Sequence, residues 1–261
     1  MTQEMTFWEH LDELRKVIFR GLGLILLFMV VIFIGKDFVF NDVILAPIGG
    51  DFALYRWFNA LFALIGLNPL DEFSLELINI DLAAQFFIHI KVSFYLAFVV
   101  AFPFIIYLIW GFISPALYSN EKGVIKTAFG FASLLFYSGV AVGYFFVFPL
   151  TLRFLGTYQV SADVPNQISL NSYISMFVRL ILVMGVVFEM PALAAILSRL
   201  GVIHRGLLRK YRKHAVVVLM ALAAVITPSG DAFTLFMVSL PHYMFYELSI
   251  LMCKEKVEEE E

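Results

Sequence analysis

From Val92 to Asn120 the chain carries no Asp, Glu, Lys or Arg. About 20 mostly apolar residues in a helix suffice to cross a hydrocarbon layer roughly 30 Å thick. This stretch is longer than that, so it predicts a membrane span. Pro103 is expected to kink it and Pro115 to end it, because proline supplies no backbone N–H and clashes with the preceding turn. The composition extends the inference to the whole chain. Of 261 residues, 61% are hydrophobic, 15% are charged and 29 are Phe. A soluble domain is nearer half apolar and a quarter charged, so this much apolar surface needs lipid.

The apolar runs predict an all-α integral membrane protein with six transmembrane helices, at about 17–35, 87–112, 127–152, 173–197, 215–227 and 232–252. Residues 1–16 form an amphipathic surface segment, 17–253 a single membrane domain and 254–261 an acidic tail. The last two spans are short and separated only by Pro228-Ser229-Gly230-Asp231, a strong turn signal. A re-entrant hairpin is the alternative there, but two short spans with local bilayer thinning are favoured. The first run starts near Val17, and no small-residue cleavage site follows before Ala46-Pro47, so it is expected to be retained.

Lys and Arg in short loops set orientation. Arg15, Lys16, Arg20, Lys122, Lys126, Arg199, Arg205, Arg209, Lys210, Arg212, Lys213, Lys254 and Lys256 fall on one side, and they are 13 of the 18 basic residues. Both termini are therefore expected in the cytoplasm, with loop 36–81 on the outer face. That loop holds Pro47, Gly49-Gly50 and the apolar stretch Tyr55 to Leu67, which suits either a packed cap or an interfacial helix.

Enzyme signatures are missing: there is no nucleophile elbow, zinc helix or phosphate-binding loop, and the five histidines lack metal-ligand spacing. Neither a metal nor a cofactor is expected, and nothing points to nucleic acid. His89 and His242, inside apolar runs, suit hydrogen-bonded packing, and Cys253 suits a small packing residue. The informative groups are acids in unexpected places. Glu189 lies inside the fourth span, where a charge costs about 2.5–3.5 kcal/mol on insertion scales. A group placed so expensively is a functional candidate facing a bundle interior or wet cavity. Phe7, Leu11, Leu14 and Ile18 make an apolar stripe on the first helix, and Glu13 sits beside it. Glu121 follows the second span. Two carboxylates brought together at a membrane surface would suit a guanidinium ligand, because Arg engages carboxylates bidentately.

The segment His10-Leu11-Asp12-Glu13-Leu14-Arg15-Lys16 resembles the H-L-x-E-L-R-x opening of the TatC family. Ser114-Pro115-Ala116-Leu117-Tyr118-Ser119-Asn120-Glu121, preceded by Phe112, resembles its F-x-x-P-A-L-Y-x-x-E loop. Phe188-Glu189-Met190-Pro191 resembles its F-E-x-P motif, and Thr227-Pro228 with Asp231 and Tyr246-Glu247 resembles the end of the pattern. These matches keep their order over nearly the whole chain. The resemblance implies a glove-shaped six-helix receptor of the twin-arginine translocase in a prokaryotic cytoplasmic membrane. Such a system exports folded proteins on the proton-motive force, with TatA- and TatB-type single-span subunits as partners and self-association left open. It further implies that Glu13 and Glu121 receive the paired arginines of a signal peptide, while Arg15 and Phe112 shape the surface around them. By the same resemblance Glu189 contacts partner helices or the inserted signal, and Pro47 is a sensitive outer-loop position. The stretch between Pro47 and Lys91 is longer than the family pattern, so no role carries over within it.

Two other functions fit fewer of these features. A proton- or ion-coupled small-molecule transporter would use Glu189 as its titrating group, but the two halves of the chain show no repeat. An intramembrane enzyme would need a nucleophile or metal motif.

Overall fold

The structure, a computed structural model, describes residues 7–69, 73–116, 119–161, 163–164, 166–227 and 231–255; within these, the side chains of residues 7, 116, 119–121 and 124 are not described. Helix α1, Phe7–Ile34, is unbroken. From Phe7 onward the surface segment and the first span are thus one helix, since no proline or turn separates them. Helix α4, Ala84–Ile113, runs antiparallel to it and passes through Pro103; Pro115 sits in the short 3-10 turn Ser114–Ala116 that closes it. At one end His10 stacks on Phe112, with ring centroids 4.4 Å apart. At the other, Phe33 stacks on His89 at 3.8 Å, and a His89 ring nitrogen lies 3.1 Å from the Phe33 carbonyl oxygen. These contacts define a terminal end, where the chain enters, and an opposite cap end.

Helix α5, Ser119–Val142, leads through a π-helical turn, Gly143–Val147, into α6, Phe148–Thr157, at the cap end. Strand β1, Leu77–Ile78, pairs in parallel with β2, Ile168–Ser169, and ties the two cap-end connections together. Helix α7, Leu170–Phe188, and α8, Met190–Arg199, return to the terminal end as one kinked span. The short α9, Arg205–Lys210, and then α10, Arg212–Ile226, and α11, Ala232–Met252, complete the bundle. Phe233 stacks on Phe154 at the cap end. At the terminal end the Lys254 amide donates to Ser198 Oγ at 2.9 Å, and Cys253 is buried against the Ala194 carbonyl. Successive spans therefore alternate in direction. Of the expected acidic tail, residues 256–261 lie outside the described ones, and Glu255 pairs with Arg205 at 3.2 Å.

Six stretches among the described residues are long and apolar enough to cross a membrane. Five coincide with spans read from the sequence. The sixth, Lys36–Leu64, lies in the expected outer loop, whereas α10, with 15 residues, is absent from the set. Apolarity alone misassigns 36–64, because the chain there is broken. Helix α2, Lys36–Phe38, runs into a π-helical turn, Val39–Ile44, and a 3-10 turn, Ala46–Ile48, before α3, Ala53–Leu64. Twelve residues of α3 rise only about 18 Å, and Tyr55 and Phe52 hold its start against α6 and the π-helical turn. The broken segment packs as a cap at that end of the bundle. At 15 residues α10 rises about 22 Å, which fits the short fifth span.

Irregular backbone at a membrane edge survives only where its polar groups find partners. Tyr144 Oη donates to the Val43 carbonyl at 2.8 Å and Tyr173 Oη to the Ile44 carbonyl at 2.5 Å. Tyr55 Oη lies 3.4 Å from the Pro47 carbonyl and 3.1 Å from that of Pro149. Around these hydroxyls sits the main core, with Ile44, Phe148, Leu152, Ile174 and Leu180 buried. Deeper in, α5 and α7 touch backbone to backbone. A Cβ on Gly185 would lie 2.7 Å from the Phe136 ring, and that ring is held by stacking on Phe102 at 3.6 Å.

Two substitutions test this packing. Gly185→Ala should destabilise by about 1–3 kcal/mol, the usual cost of overpacking. Tyr173→Phe should cost about 1–3 kcal/mol by stranding the Ile44 carbonyl. Both are read from unfolding in detergent, beside Leu26→Ala on the exposed wall of α1, which should change little.

Candidate functional site

The first four turns of α1 place His10, Glu13, Val17 and Arg20 at i, i+3, i+7 and i+10, one face of a helix. That face borders a cavity of about 740 Å³ between α1, the end of α4 and the start of α5. Trp110, Phe112 and Lys122 complete the part of its lining that matters chemically. Of the apolar stripe, Leu11, Leu14 and Ile18 are exposed and point away from the protein. The helix is thus inside out by soluble standards, its polar face toward protein and its apolar face toward lipid, as a bilayer rewards.

Glu13 is half-exposed and forms an ion pair with Lys16 at 2.5 Å. It precedes the first apolar run, outside the crossing part of the helix. The bond and charge of Lys16 hold its carboxyl below the ordinary carboxylate range, so it is ionised at neutral pH. An exposed i,i+3 pair is weak and exchangeable, so Lys16 can yield the carboxylate to a ligand that binds it bidentately. Aromatic walls from His10, Trp110 and Phe112 add flat surfaces on which a guanidinium can stack.

The sequence-expected residues do not all meet here. Glu13 and Phe112 do. Glu121 belongs to the first turn of α5, next to Lys122 of the cavity wall, but its side chain lies outside the described residues. Arg15, two residues from Glu13, faces the far side of α1, where its guanidinium lies 5.7 Å from the Phe19 ring centroid. Pro47 is buried in the cap. Glu189 ends α7 and begins α8; it is 8% exposed, and its Oε1 has no hydrogen-bond partner among the described residues. Pro191 keeps the helix kinked there. Glu247, the other acid inside a span, accepts from Arg212 at 2.6 Å and from Tyr243 at 2.9 Å. His242 is buried, with Nδ1 2.5 Å from the Val238 carbonyl. No set of three or more His, Cys, Asp or Glu among the described residues is placed to hold a metal.

Sequence reasoning missed His10, Trp110, Arg20 and Lys122 as cavity residues. The helical spacing of His10, Glu13 and Arg20 was a usable signal for two of them. Trp110 and Lys122 depend on how α4 and α5 close around α1, a long-range fact.

A family model described as Sec-independent protein translocase protein (TatC) matches residues 9–241. The Sec-independent protein translocase protein TatC of Blattabacterium sp. subsp. Periplaneta americana is 33% identical over 251 residues, covering 95% of this chain and 94% of that protein. The protein of that name from Helicobacter pylori strain 26695 is 35% identical over 245 residues, covering 94% and 86%. A crystal structure of the twin arginine translocase receptor TatC in DDM superposes with a TM-score of 0.76 at 31% identity, covering 94% of this chain and all of that one. A second crystal structure of that receptor gives 0.73 at 31% identity, covering 94% and 97%. These matches support a translocase and give no support to a coupled small-molecule transporter.

The cavity's tryptophan supplies a test. In a Trp8→Phe, Trp57→Phe background, an Arg-containing peptide should shift Trp110 emission. Glu13→Gln should weaken that response about tenfold, the loss of one charge-assisted bond, whereas Arg15→Gln should leave it within about twofold.

Proposed function

Because the chain belongs to the TatC family of Sec-independent protein translocase proteins, we propose that it is the receptor subunit that reads twin-arginine signal peptides at the membrane surface. It is a multi-pass membrane protein and a translocase component, not an enzyme. Its membrane is the cytoplasmic membrane, with both termini in the cytoplasm. That orientation is supported by the positive-inside rule, since 12 of the 17 described basic residues gather at the terminal end.

The observation that carries the proposal is the Glu13 cavity with its aromatic walls. Glu13 and Glu121 receive the two arginines of the signal, and Phe112 and His10 line their approach. Lys is a poorer occupant, because an ammonium is a compact point charge that neither forks across a carboxylate nor stacks as a plane. Arg15, on the opposite face, acts from the lipid-facing side of the helix. Glu189 contacts partner helices or the inserted signal; its buried, unpartnered oxygen suits a polar group arriving from outside the chain. TatA- and TatB-type single-span subunits are those partners, and the proton-motive force drives export of folded cargo. Pro47 acts through the cap, where its carbonyl is one of the groups that Tyr55 holds.

Binding of a labelled twin-arginine signal peptide to the purified protein tests the proposal. Twin lysine in the peptide, or Glu13→Ala with Glu121→Ala in the receptor, should each weaken binding at least about tenfold, and Glu189→Ala much less. Equal binding in all cases would contradict the assignment of the two carboxylates.

A further inference from the structure

Of the 17 basic residues among the described ones, 12 lie at the terminal end and three, Lys36, Arg56 and Arg153, in or beside the cap. The remaining two, Lys91 and Arg179, are inside spans, on α4 and α7. They are neighbours across the two helices: Lys91 bonds Ser175, one turn before Arg179 on α7, and the Arg179 charge acts on the Lys91 ammonium. Lys91 Nζ donates to Ser175 Oγ at 2.9 Å, which uses one of its three donors. Arg179 is exposed. Neither has an acidic partner within ion-pair distance among the described residues. Two like charges at membrane depth with no counter-charge form an arrangement that an anion completes.

Depth selects the anion. Helix α4 and the α7–α8 span are each 30 residues long, about 45 Å against a hydrocarbon layer of about 30 Å. Each therefore overhangs the hydrocarbon at both ends. Lys91 lies seven residues inside the cap end of α4, about 10 Å, and Arg179 nine residues inside that of α7, about 14 Å. Both are just within the hydrocarbon edge, where long basic side chains extend toward the lipid phosphate layer.

A cavity of about 360 Å³, lined by Lys91 but not by Arg179, opens beside this pair between the starts of α4 and α7. Lys91 lies at its deep side, Asp81 and Asn171 line its mouth, and the exposed Phe87 flanks it. Asp81 is an obstacle to a simple anion, because its carboxylate would repel one at the entrance. It suits a ligand that carries a phosphate inside and a cation outside. We propose that this cavity binds one phospholipid with an ammonium headgroup from the cap-side leaflet. The phosphate sits on Lys91 and Arg179, the ammonium points to Asp81, Asn171 adds a donor at the mouth, and an acyl chain lies along Phe87. The lipid would neutralise the cation pair and brace α4 against α7, on the side away from the Glu13 cavity.

Native mass spectrometry of the detergent-purified protein tests this, with an ethanolamine phospholipid, a glycerol phospholipid and inorganic phosphate offered separately. The wild type should retain one ethanolamine lipid at least about tenfold more tightly than the glycerol lipid, and should not retain phosphate. Arg179→Gln, exposed and so tolerated by folding, should weaken lipid retention about tenfold, and Lys91→Gln likewise. Asp81→Asn should keep the lipid but lose the headgroup preference. Retention unchanged in both cation variants would overturn the site. So would equal retention of the two lipids by the wild type, no lipid at all, or inorganic phosphate held as tightly as lipid. Lys36→Gln, outside the cavity, should match the wild type.

Discussion

Three tyrosine hydroxyls decide where the cap sits, and the cap decides how the spans are spaced at that end. Tyr55, Tyr144 and Tyr173 come from three different helices and reach the carbonyls of Val43, Ile44 and Pro47. Those carbonyls belong to a segment that changes from α to π to 3-10 geometry within a few residues, leaving acceptors that helix hydrogen bonds cannot all serve. A bilayer leaves few other partners. The tyrosines supply them and, in doing so, hold α3, the π-helical turn before α6, and the start of α7 to one point. At the terminal end a fourth tyrosine, Tyr246, donates its hydroxyl to the Leu208 carbonyl at 2.8 Å. A small cluster of Leu219, Tyr246 and Ile250 and the Arg212–Glu247 pair hold α10 and α11 there, and the Glu13 cavity stays open beside α1.

What the sequence revealed follows from what was local. The charge-free run around α4, the proline that ends it, the basic bias of one set of loops and the turn before α11 are each decided within a few residues. The packing roles of His89, His242 and Cys253 also follow from their apolar neighbourhoods. The cap tyrosines were not legible, because Tyr173 bonds a carbonyl 129 positions away. On α1 the direction in which the stripe faces was not legible in its spacing. In water an apolar stripe faces protein, but here Leu11, Leu14 and Ile18 face outward and His10, Glu13 and Arg20 face in. Hydropathy was an equally poor guide for 36–64, apolar enough to span but broken at Pro47 and Gly49-Gly50.

The separation of polar groups gives the molecule a division of labour. The Glu13 cavity lies at the terminal end. Glu189 is buried at the α7–α8 kink with an unpartnered oxygen, and the Lys91–Arg179 pair lies toward the cap. In the proposed reading, a peptide that enters by its arginines at the first site leaves the other two free for a partner helix or a lipid. Arg15 belongs to none of the three: its place over Phe19 fits an anchor at the lipid surface better than a wall of the cavity.

Site-specific photo-cross-linking in native membranes tests most directly the claim that signal recognition is at the terminal end. A photoreactive residue is placed at Phe112, at Glu189 or at Trp57, and a twin-arginine precursor is added. Adducts at Phe112 mapping beside the paired arginines, with none from Trp57, are the expected result. Arginine-adjacent adducts at Glu189 or Trp57, with none at Phe112, would contradict it.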